Sequence, residues 1–323
     1  MKKLICVMLA VLLTLSLFAG CGAKEDDGVL RIAIIQQLDH SSLDEIRLAA
    51  QAEIDRIAAE KGITVEYKHF NGQNDTSVLA QIGTQVVSDG YDLILPIATL
   101  AAQYAVTAAE GKNIPIVYAA VSDPTGAGLT GMSNVTGVSD ALNTPFIMDM
   151  MFAANPDIQT VGLLYSLSEP NSEQPIKEAK AYLDAKGIPY IEKTGNTADE
   201  VITAATALVG RCEAVFTPTD NAIMNVAPSV AEILTNAGIA HYTGADSFVQ
   251  AGSFVTCGVN YTELGTYAAA MAMDILLGGA IPEFHVMEGG IITVNTETAK
   301  ALNLDYSVFN SMANTVIPVT TAK

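Results

Sequence analysis

Polar residues that could bind a small charged molecule follow several short apolar runs of the chain. Asp123, Asp220 and Asp246 each come after such a run, and a carboxylate there can neutralise an ammonium group. Thr99 and Ser172 stand where helical stretches begin, and a hydroxyl beside backbone N–H groups suits a carboxylate. Groups of both kinds at one cleft predict a zwitterionic ligand such as an amino acid.

Each of these residues also has an ordinary structural interpretation. Thr99, Ser172 and Asp220 are good helix N-caps, and capping is favoured for any one of them taken alone. Asp123 precedes Pro124 in a dipeptide typical of turns, so a role in a turn and a role in ligand binding are equally favoured for this residue. Similar polar groups recur after equivalent strands in both halves of the chain, and this symmetry favours ligand binding because capping does not require it.

Motifs for catalysis and metal binding are weak by comparison. Residues 126–131 match G-x-G-x-x-G, but they follow Asp123-Pro124 and precede no helical run, so we interpret them as a loop. The sequence contains no Walker-A segment and no G-x-S-x-G elbow. Its four histidines lack H-x-x-x-H or C-x-x-C partners. We therefore expect no metal, no cofactor and no enzymatic activity.

The elements that position these residues follow an α/β pattern. From Val29 onward, short apolar runs alternate with Ala-rich helical stretches, one of them predicted over residues 222–236. The pattern occurs twice, since Gly62 after the first helix is matched by Gly187, and Asp123 by Asp246. The sequence predicts two similar lobes with a cleft at the carboxyl ends of their parallel strands, where ligands collect.

The N-terminal segment predicts export. Lys2 and Lys3 precede the apolar run 4–18, and Ala19-Gly20-Cys21 follows it, as in a bacterial secretory signal. The small residues beside Cys21 resemble a lipobox, so residues 1–20 are a predicted signal peptide, Cys21 carries lipid and residues 21–28 form a tether. A plain cleaved signal with an incidental cysteine remains the alternative.

The charge of the chain excludes one class of partner. Among 323 residues, 35 are acidic and 16 basic, a net charge of −19, so nucleic acid is not an expected partner. Loss of the two lysines in residues 1–20 leaves 14 basic and 35 acidic residues, a charge of −21. Membrane attachment would then depend on the lipid. Cys212 and Cys257 are predicted to be two buried free thiols, with a disulfide as the alternative.

Several segments together resemble a known family, the solute-binding lipoproteins of ABC importers, in their type I, tryptophan-binding-like branch. The resemblance covers residues 29–305 approximately. It rests on Gln36 with His40, NGQND (71–75), IAT (97–99), AVSDP (120–124), NVTGVSD (134–140) and SEPNS (168–172).

This resemblance implies two Rossmann-like lobes with parallel sheets, joined by three hinge crossovers near residues 140–145, 253–260 and 279–283. The N-terminal lobe would contain residues 29–141 and about 256–280, and the C-terminal lobe residues 142–255 and about 281–323. It also implies an exported, monomeric protein held at the membrane by the lipid on Cys21. Its partners would be a small-molecule ligand, an ABC permease and an ATPase. A sensor that presents its closed form to a membrane receptor remains the alternative.

The resemblance further implies an aromatic or other apolar amino acid as ligand. Thr99 and its helix would hold the carboxylate, Asp123 and then Asp246 the ammonium, and Tyr165 could stack on a ring. Substitution Asp123→Ala would then abolish binding. The expected ligand-binding residues are Gln36, His40, Ala98, Thr99, Ser122, Asp123, Tyr165, Glu169, Asn171, Ser172, Asp220, Asn221, Asp246 and Asn260.

Overall fold

The computed structural model describes residues 27–322. The predicted signal peptide, Cys21 and the first part of the tether lie outside the described residues. The strands are β1 (Val29–Gln36), β2 (Thr64–Asn71), β3 (Leu93–Ile97), β4 (Ile116–Ala119), β5 (Val135–Ser139), β6 (Val161–Tyr165), β7 (Tyr190–Thr194), β8 (Ala214–Thr217), β9 (Ala240–Thr243), β10 (Val255–Gly258), β11 (His285–Val286), β12 (Ile291–Asn295) and β13 (Thr315–Val319).

Helices alternate with these strands. The α-helices are α1 (Ser41–Lys61), α2 (Thr76–Asp89), α3 (Thr99–Ala108), α4 (Thr144–Ala154), α5 (Glu173–Lys186), α6 (Ala198–Thr206), α7 (Asn221–Met224), α8 (Ala227–Asn236), α9 (Asp246–Gln250), α10 (Tyr261–Leu276) and α11 (Thr296–Ala301), with 3-10 turns at Pro170–Ser172 and Ser307–Ser311. The single helix predicted over 222–236 is two helices, because Pro228, the second residue of α8, has no N–H to donate to a preceding turn.

The structure contains two sheets whose first five strands follow the same order. The first runs β2-β1-β3-β4-β5-β11 and all its pairs are parallel. The second runs β7-β6-β8-β9-β10-β12-β13 and is parallel except where β12 pairs with β10. The first five strands of each half follow the same doubly-wound order, the second strand lying outside the first. The prediction of an α/β fold with two similar lobes is confirmed.

The chain passes between the sheets three times, around residues 140–143, 259–260 and 287–290. We call the part around the first sheet lobe 1 and the part around the second sheet lobe 2. The third crossover comes later than residues 279–283, because β11 still pairs with Val138 and Ser139 of lobe 1. Strand β10 belongs to lobe 2, whereas the predicted boundary at residue 256 cuts through it.

Helix α10 returns to lobe 1 and packs along α1. Gly265 allows this close approach, since a Cβ there would lie 2.3 Å from the carbonyl oxygen of Ile46. One apolar cluster continues across the cleft, because it includes Leu43 of α1 and Phe248 of α9. The lobes therefore meet through buried apolar surface as well as through polar groups.

The two cysteines of the described residues are not paired with each other. Cys212 and Cys257 are buried free thiols, as the favoured interpretation had it. Burial raises the pKa of both thiols to about 11. Among residues 27–322, no helix is long and apolar enough to span a bilayer.

Candidate functional site

The carboxyl ends of strands from both sheets enclose a narrow cavity of about 30 Å³ between the lobes. Ligand pockets of about 300–1,000 Å³ are usual, so the lobes must part to admit a ligand. The lining residues are His40, Ser42, Leu43, Ala98, Thr99, Ala120, Ser122, Asp140 and Tyr261 from lobe 1, and Asn171, Thr219, Asp220, Asn221, Met224, Ala245, Ser247 and Phe248 from lobe 2.

The start of α3 presents an unused hydroxyl to this cavity. Ala98 is the N-cap residue, and its own side chain offers no acceptor to the first turn of the helix. Thr99 follows it, and its Oγ1 is buried without a hydrogen-bond partner. A hydroxyl donor at a helix N-terminus favours an anionic group.

Backbone strain marks the same edge of lobe 1. Ala98 has φ 77° and ψ 162°, and Ala120, just after β4, has φ 56°. Positive φ disfavours residues with a Cβ, and each such position costs about 1–3 kcal/mol. Both alanines line the cavity. Strain of this kind is typical of segments that the surrounding fold holds in a functional geometry.

Asp140, after β5, is a buried carboxyl group with no cationic partner among the described residues. It accepts hydrogen bonds from Ser122 Oγ at 2.9 Å and from the Tyr261 hydroxyl at 3.3 Å. Burial raises the pKa of Asp140, although these two hydrogen bonds act against the shift. A positively charged group in the cavity would compensate the buried charge.

Lobe 2 contributes a pair of buried acids. Asp220 accepts bonds from Ser166 N–H, the Ser172 hydroxyl and Ile223 N–H at 2.7, 2.7 and 3.0 Å, so it caps α7 while it lines the cavity. Glu169 lies behind it. Burial raises the pKa of both Glu169 and Asp220, and their mutual repulsion raises that of Glu169 further.

Hydrogen bonds join the lobes across the cleft. Gln37 Nε2 donates to Glu169 Oε1 at 3.0 Å, and His40 Nε2 lies 3.0 Å from Asn221 Oδ1. The hydroxyl pairs Ser42–Ser247 and Ser122–Thr219 lie 2.6 and 3.1 Å apart. The lobes are therefore closed in this structure.

One wall of the cavity is apolar. Leu43 of α1 and Phe248 of α9 are almost completely buried, line the cavity and belong to one apolar cluster. Met224, at the end of α7, lines the same cavity and accepts a bond from Ser247 Oγ through its sulfur. We call Leu43, Met224 and Phe248 the apolar wall.

The structure brings half of the predicted ligand-binding residues to the cavity. Glu169 and Ser172 lie directly behind the lining, where they bond to Asn221 and Asp220. The predicted residues in the lining itself are His40, Ala98, Thr99, Ser122, Asn171, Asp220 and Asn221.

Five predicted residues lie outside the lining, each with another partner. Gln36 accepts from Arg47 and donates to the carbonyl oxygen of Leu38, both in lobe 1. The Asp123 carboxylate accepts a hydrogen bond from Gly126 N–H at 2.8 Å. It therefore caps a turn, which is the alternative interpretation of this residue. Tyr165 donates to Glu192 beside an outer groove of lobe 2.

The other two residues lie at helix starts. Asn260 caps α10 by accepting from Glu263 N–H at 2.9 Å. Asp246 begins α9, and its carboxylate accepts from Gln250 in the same helix. Their immediate neighbours Tyr261 and Ser247 line the cavity instead.

Sequence reasoning missed several residues of the site. Asp140 is the last residue of the segment NVTGVSD, but it was assigned only to a crossover. Gln37 forms the cross-lobe bond, whereas its neighbour Gln36 was predicted. For Gln37, the signal in the sequence was its polar neighbour Gln36. The direction of each side chain at the end of the strand decides which of two such neighbours reaches the cleft.

Comparison with known proteins places this geometry in a family. The sequence pattern of the ABC transporter substrate-binding proteins matches residues 31–312. A tyrosine-binding protein of Clostridioides difficile (strain R20291) is 29% identical in an alignment of 322 positions that covers 94% of this chain and 93% of that protein.

Solved structures of similar proteins share this fold. A Streptococcus pneumoniae ABC domain in complex with L-Trp is 29% identical and has a TM-score of 0.82, over 89% of this chain and 99% of that one. A ligand-free, open substrate-binding protein from Clostridium difficile is 30% identical over 91% of this chain and 100% of that one, with a TM-score of 0.68. The chain belongs to the ABC transporter substrate-binding protein family.

Proposed function

We propose that this protein captures an amino acid with an aromatic or other apolar side chain and delivers it to an ABC permease and its ATPase. Substrate-binding proteins of this family work outside the cytoplasm and take a small-molecule ligand to a transporter. The observation that carries the proposal is the pairing, in one cavity, of a buried unneutralised carboxyl at Asp140 with an unpartnered hydroxyl at Thr99. These are complementary to the two charges of an amino acid.

Asp140 is the acid that we assign to the ammonium group. Asp220 already accepts three hydrogen bonds, whereas Asp140 accepts two and has capacity for more. Asn171 adds an acceptor from lobe 2, because its Nδ2 donates to the Thr219 carbonyl and its buried Oδ1 has no partner. An ammonium group between the lobes would bond to both residues and so favour closure.

The ligand carboxylate would lie at the start of α3. The Thr99 hydroxyl would donate to it, and the positive end of the helix dipole would stabilise its charge. Closure removes water from these contacts, so that protein groups replace the hydration of both charged ends.

The apolar wall would receive the side chain. Leu43, Met224 and Phe248 offer aliphatic, thioether and aromatic surface, which suits a ring. Two relatives support this assignment, since one is a tyrosine-binding protein and the other was solved with L-Trp.

Binding without turnover is part of the proposal. His40, in the cavity, bonds to Asn221 and to no serine among the described residues. The lining hydroxyls of Ser42 and Ser122 bond to Ser247 and Asp140, and within residues 27–322 neither bonds to a histidine that could activate it as a nucleophile. We also propose that lipid on Cys21 holds the protein at the membrane and that it works as a monomer.

Calorimetry with the purified mature chain tests the function. We expect L-tyrosine, L-tryptophan or L-phenylalanine to bind with 1:1 stoichiometry and to raise the thermal midpoint. Sugars and purines should do neither. Stabilisation by sugars or purines and not by amino acids would contradict the proposal, as would conversion of a bound amino acid into another compound.

A further inference from the structure

One series of hydrogen bonds across the cleft starts at a backbone group whose direction is fixed. The N–H of Leu100, in the first turn of α3, donates to Gln37 Oε1 at 3.3 Å. A backbone nitrogen can only donate, so the Gln37 amide must turn its nitrogen the other way. That nitrogen donates to Glu169 Oε1 at 3.0 Å and to Asn74 Oδ1 at 2.8 Å. The orientation of the Gln37 amide is thereby determined.

The same polarity continues to His40. Asn221 Nδ2 donates to the second Glu169 oxygen at 2.8 Å, so Asn221 Oδ1 faces His40 Nε2 at 3.0 Å. An amide oxygen can only accept, so with Glu169 as a carboxylate His40 carries its proton on Nε2. Burial lowers the pKa of His40, which keeps the ring neutral at neutral pH. Nδ1 is then left with a lone pair.

His40 Nδ1 is a buried acceptor without a partner. Buried acceptors are normally paired, so this atom is suited to a donor that enters with the ligand. His40 precedes α1 by one residue, and Leu43 of the apolar wall lies in the first turn of that helix. The acceptor therefore lies in the same turn of chain as the surface assigned to the ligand side chain.

We propose that His40 Nδ1 accepts a hydrogen bond from an O–H or N–H group on the ligand side chain, so that the site selects tyrosine over phenylalanine. This inference rests on the proposed function and adds a specificity-determining residue to it. The hydrogen-bond series gives His40 a fixed tautomer, and a fixed acceptor distinguishes a phenol from a bare ring.

The ammonium group is assigned elsewhere. Asp140 and Asn171 supply its acceptors from the ends of other elements, and neither lies in the turn that contains His40 and Leu43. A contact from His40 to the ammonium would affect every amino acid equally, because all of them share that group. A contact to the side chain would affect only ligands that carry a donor. The ratio of two affinities therefore separates the two cases.

The test measures the dissociation constants of L-tyrosine, L-phenylalanine and 4-fluoro-L-phenylalanine by calorimetry. The wild-type protein should prefer L-tyrosine by roughly tenfold or more, and 4-fluoro-L-phenylalanine should resemble L-phenylalanine. His40→Phe keeps ring size and removes the acceptor, so we expect the tyrosine preference to disappear. Ser42→Ala is the matched control: it removes a cross-lobe hydrogen bond to Ser247, so both affinities should fall by the same factor.

The outcomes separate this inference from the proposed function. Equal wild-type affinities for L-tyrosine and L-phenylalanine would overturn the inference and leave amino-acid capture intact, and this measurement does not depend on the folding of any variant. An unchanged ratio in a folded His40→Phe protein would do the same. Absence of binding by any aromatic amino acid would overturn the proposed function, and the inference with it.

Discussion

Replacing Asp140 by asparagine should stabilise the protein and impair its binding at the same time. Asparagine has the same shape, and its Oδ1 can still accept from Ser122 Oγ. Its Nδ2 would occupy the position of the other oxygen, 3.3 Å from the Tyr261 hydroxyl, which can turn to accept. No hydrogen bond is therefore lost, and the main change is removal of a buried charge.

The size of the stability effect follows from this environment. Asp140 has no cationic partner among the described residues, and burial raises its pKa above the usual 3.8. Removing an uncompensated buried charge should raise the free energy of unfolding at neutral pH by roughly 1–3 kcal/mol. That corresponds to an increase of about 2–5 °C in Tm for a chain of this size.

The pH dependence has a definite sign. Because the pKa of Asp140 is higher in the folded than in the unfolded protein, its stabilising contribution is complete below pH 3.8 and is lost as the pH rises through the raised value. The ligand-free wild-type protein should thus lose this stability on going from acid to neutral pH, and Asp140→Asn should not. Affinity for the amino acid should rise over the same interval in the wild type only.

Binding should respond in the opposite direction to stability. Loss of the carboxylate leaves the ammonium group without its charged partner, which costs about 2–5 kcal/mol, or roughly 30-fold or more in Kd. Calorimetry and thermal unfolding from pH 5 to 8 measure both quantities. Asp123→Asn is the control, since Asp123 caps a turn outside the cavity and should leave Kd unchanged. A destabilised Asp140→Asn protein, or one with wild-type affinity, would refute the reasoning.

Three further predictions concern the other features of the site and its anchoring. Thr99→Val removes a hydroxyl that has no partner in the closed protein, so the unfolding midpoint should hold while Kd for the amino acid rises about tenfold or more by calorimetry. Ala98→Gly relieves a positive φ and should raise the unfolding free energy by about 1 kcal/mol in urea titration, with unchanged Kd; a lower value would contradict the strain argument. Cys21→Ser should move the protein from the membrane fraction to the soluble fraction after cell lysis; retention at the membrane would rule out a lipid on Cys21.

Much of the fold could be predicted from the sequence because its signals are local. Apolar runs and helical stretches succeed one another, and Gly62 ends α1 in the left-handed conformation with φ 65°. The residues that end helices and strands recur at matching places in both halves of the sequence, and this repetition predicts two similar lobes. Both sheets have the same order of their first five strands. Strand order, however, depends on pairing between distant residues. The late crossover illustrates this, because pairing with the distant residues Val138 and Ser139 keeps β11 in lobe 1.

The sequence by itself determined which strand ends would meet at the cleft, since the carboxyl ends of parallel strands share one edge of each sheet. Only the tertiary structure decided which of two neighbouring side chains faces it. Gln37 rather than Gln36, Ser247 rather than Asp246, and Tyr261 rather than Asn260 contribute to the site or its cross-lobe bonds.

The physical reason is that successive side chains point in different directions from a strand or a helix start. The next residue along the chain therefore points elsewhere: where one side chain lines the cavity, its neighbour caps a helix or bonds within its own lobe. Asp140 shows the same limit in another form. Its burial without a cation results from the packing of Ser122 and Tyr261 around it, and both contacts join residues far apart in the chain.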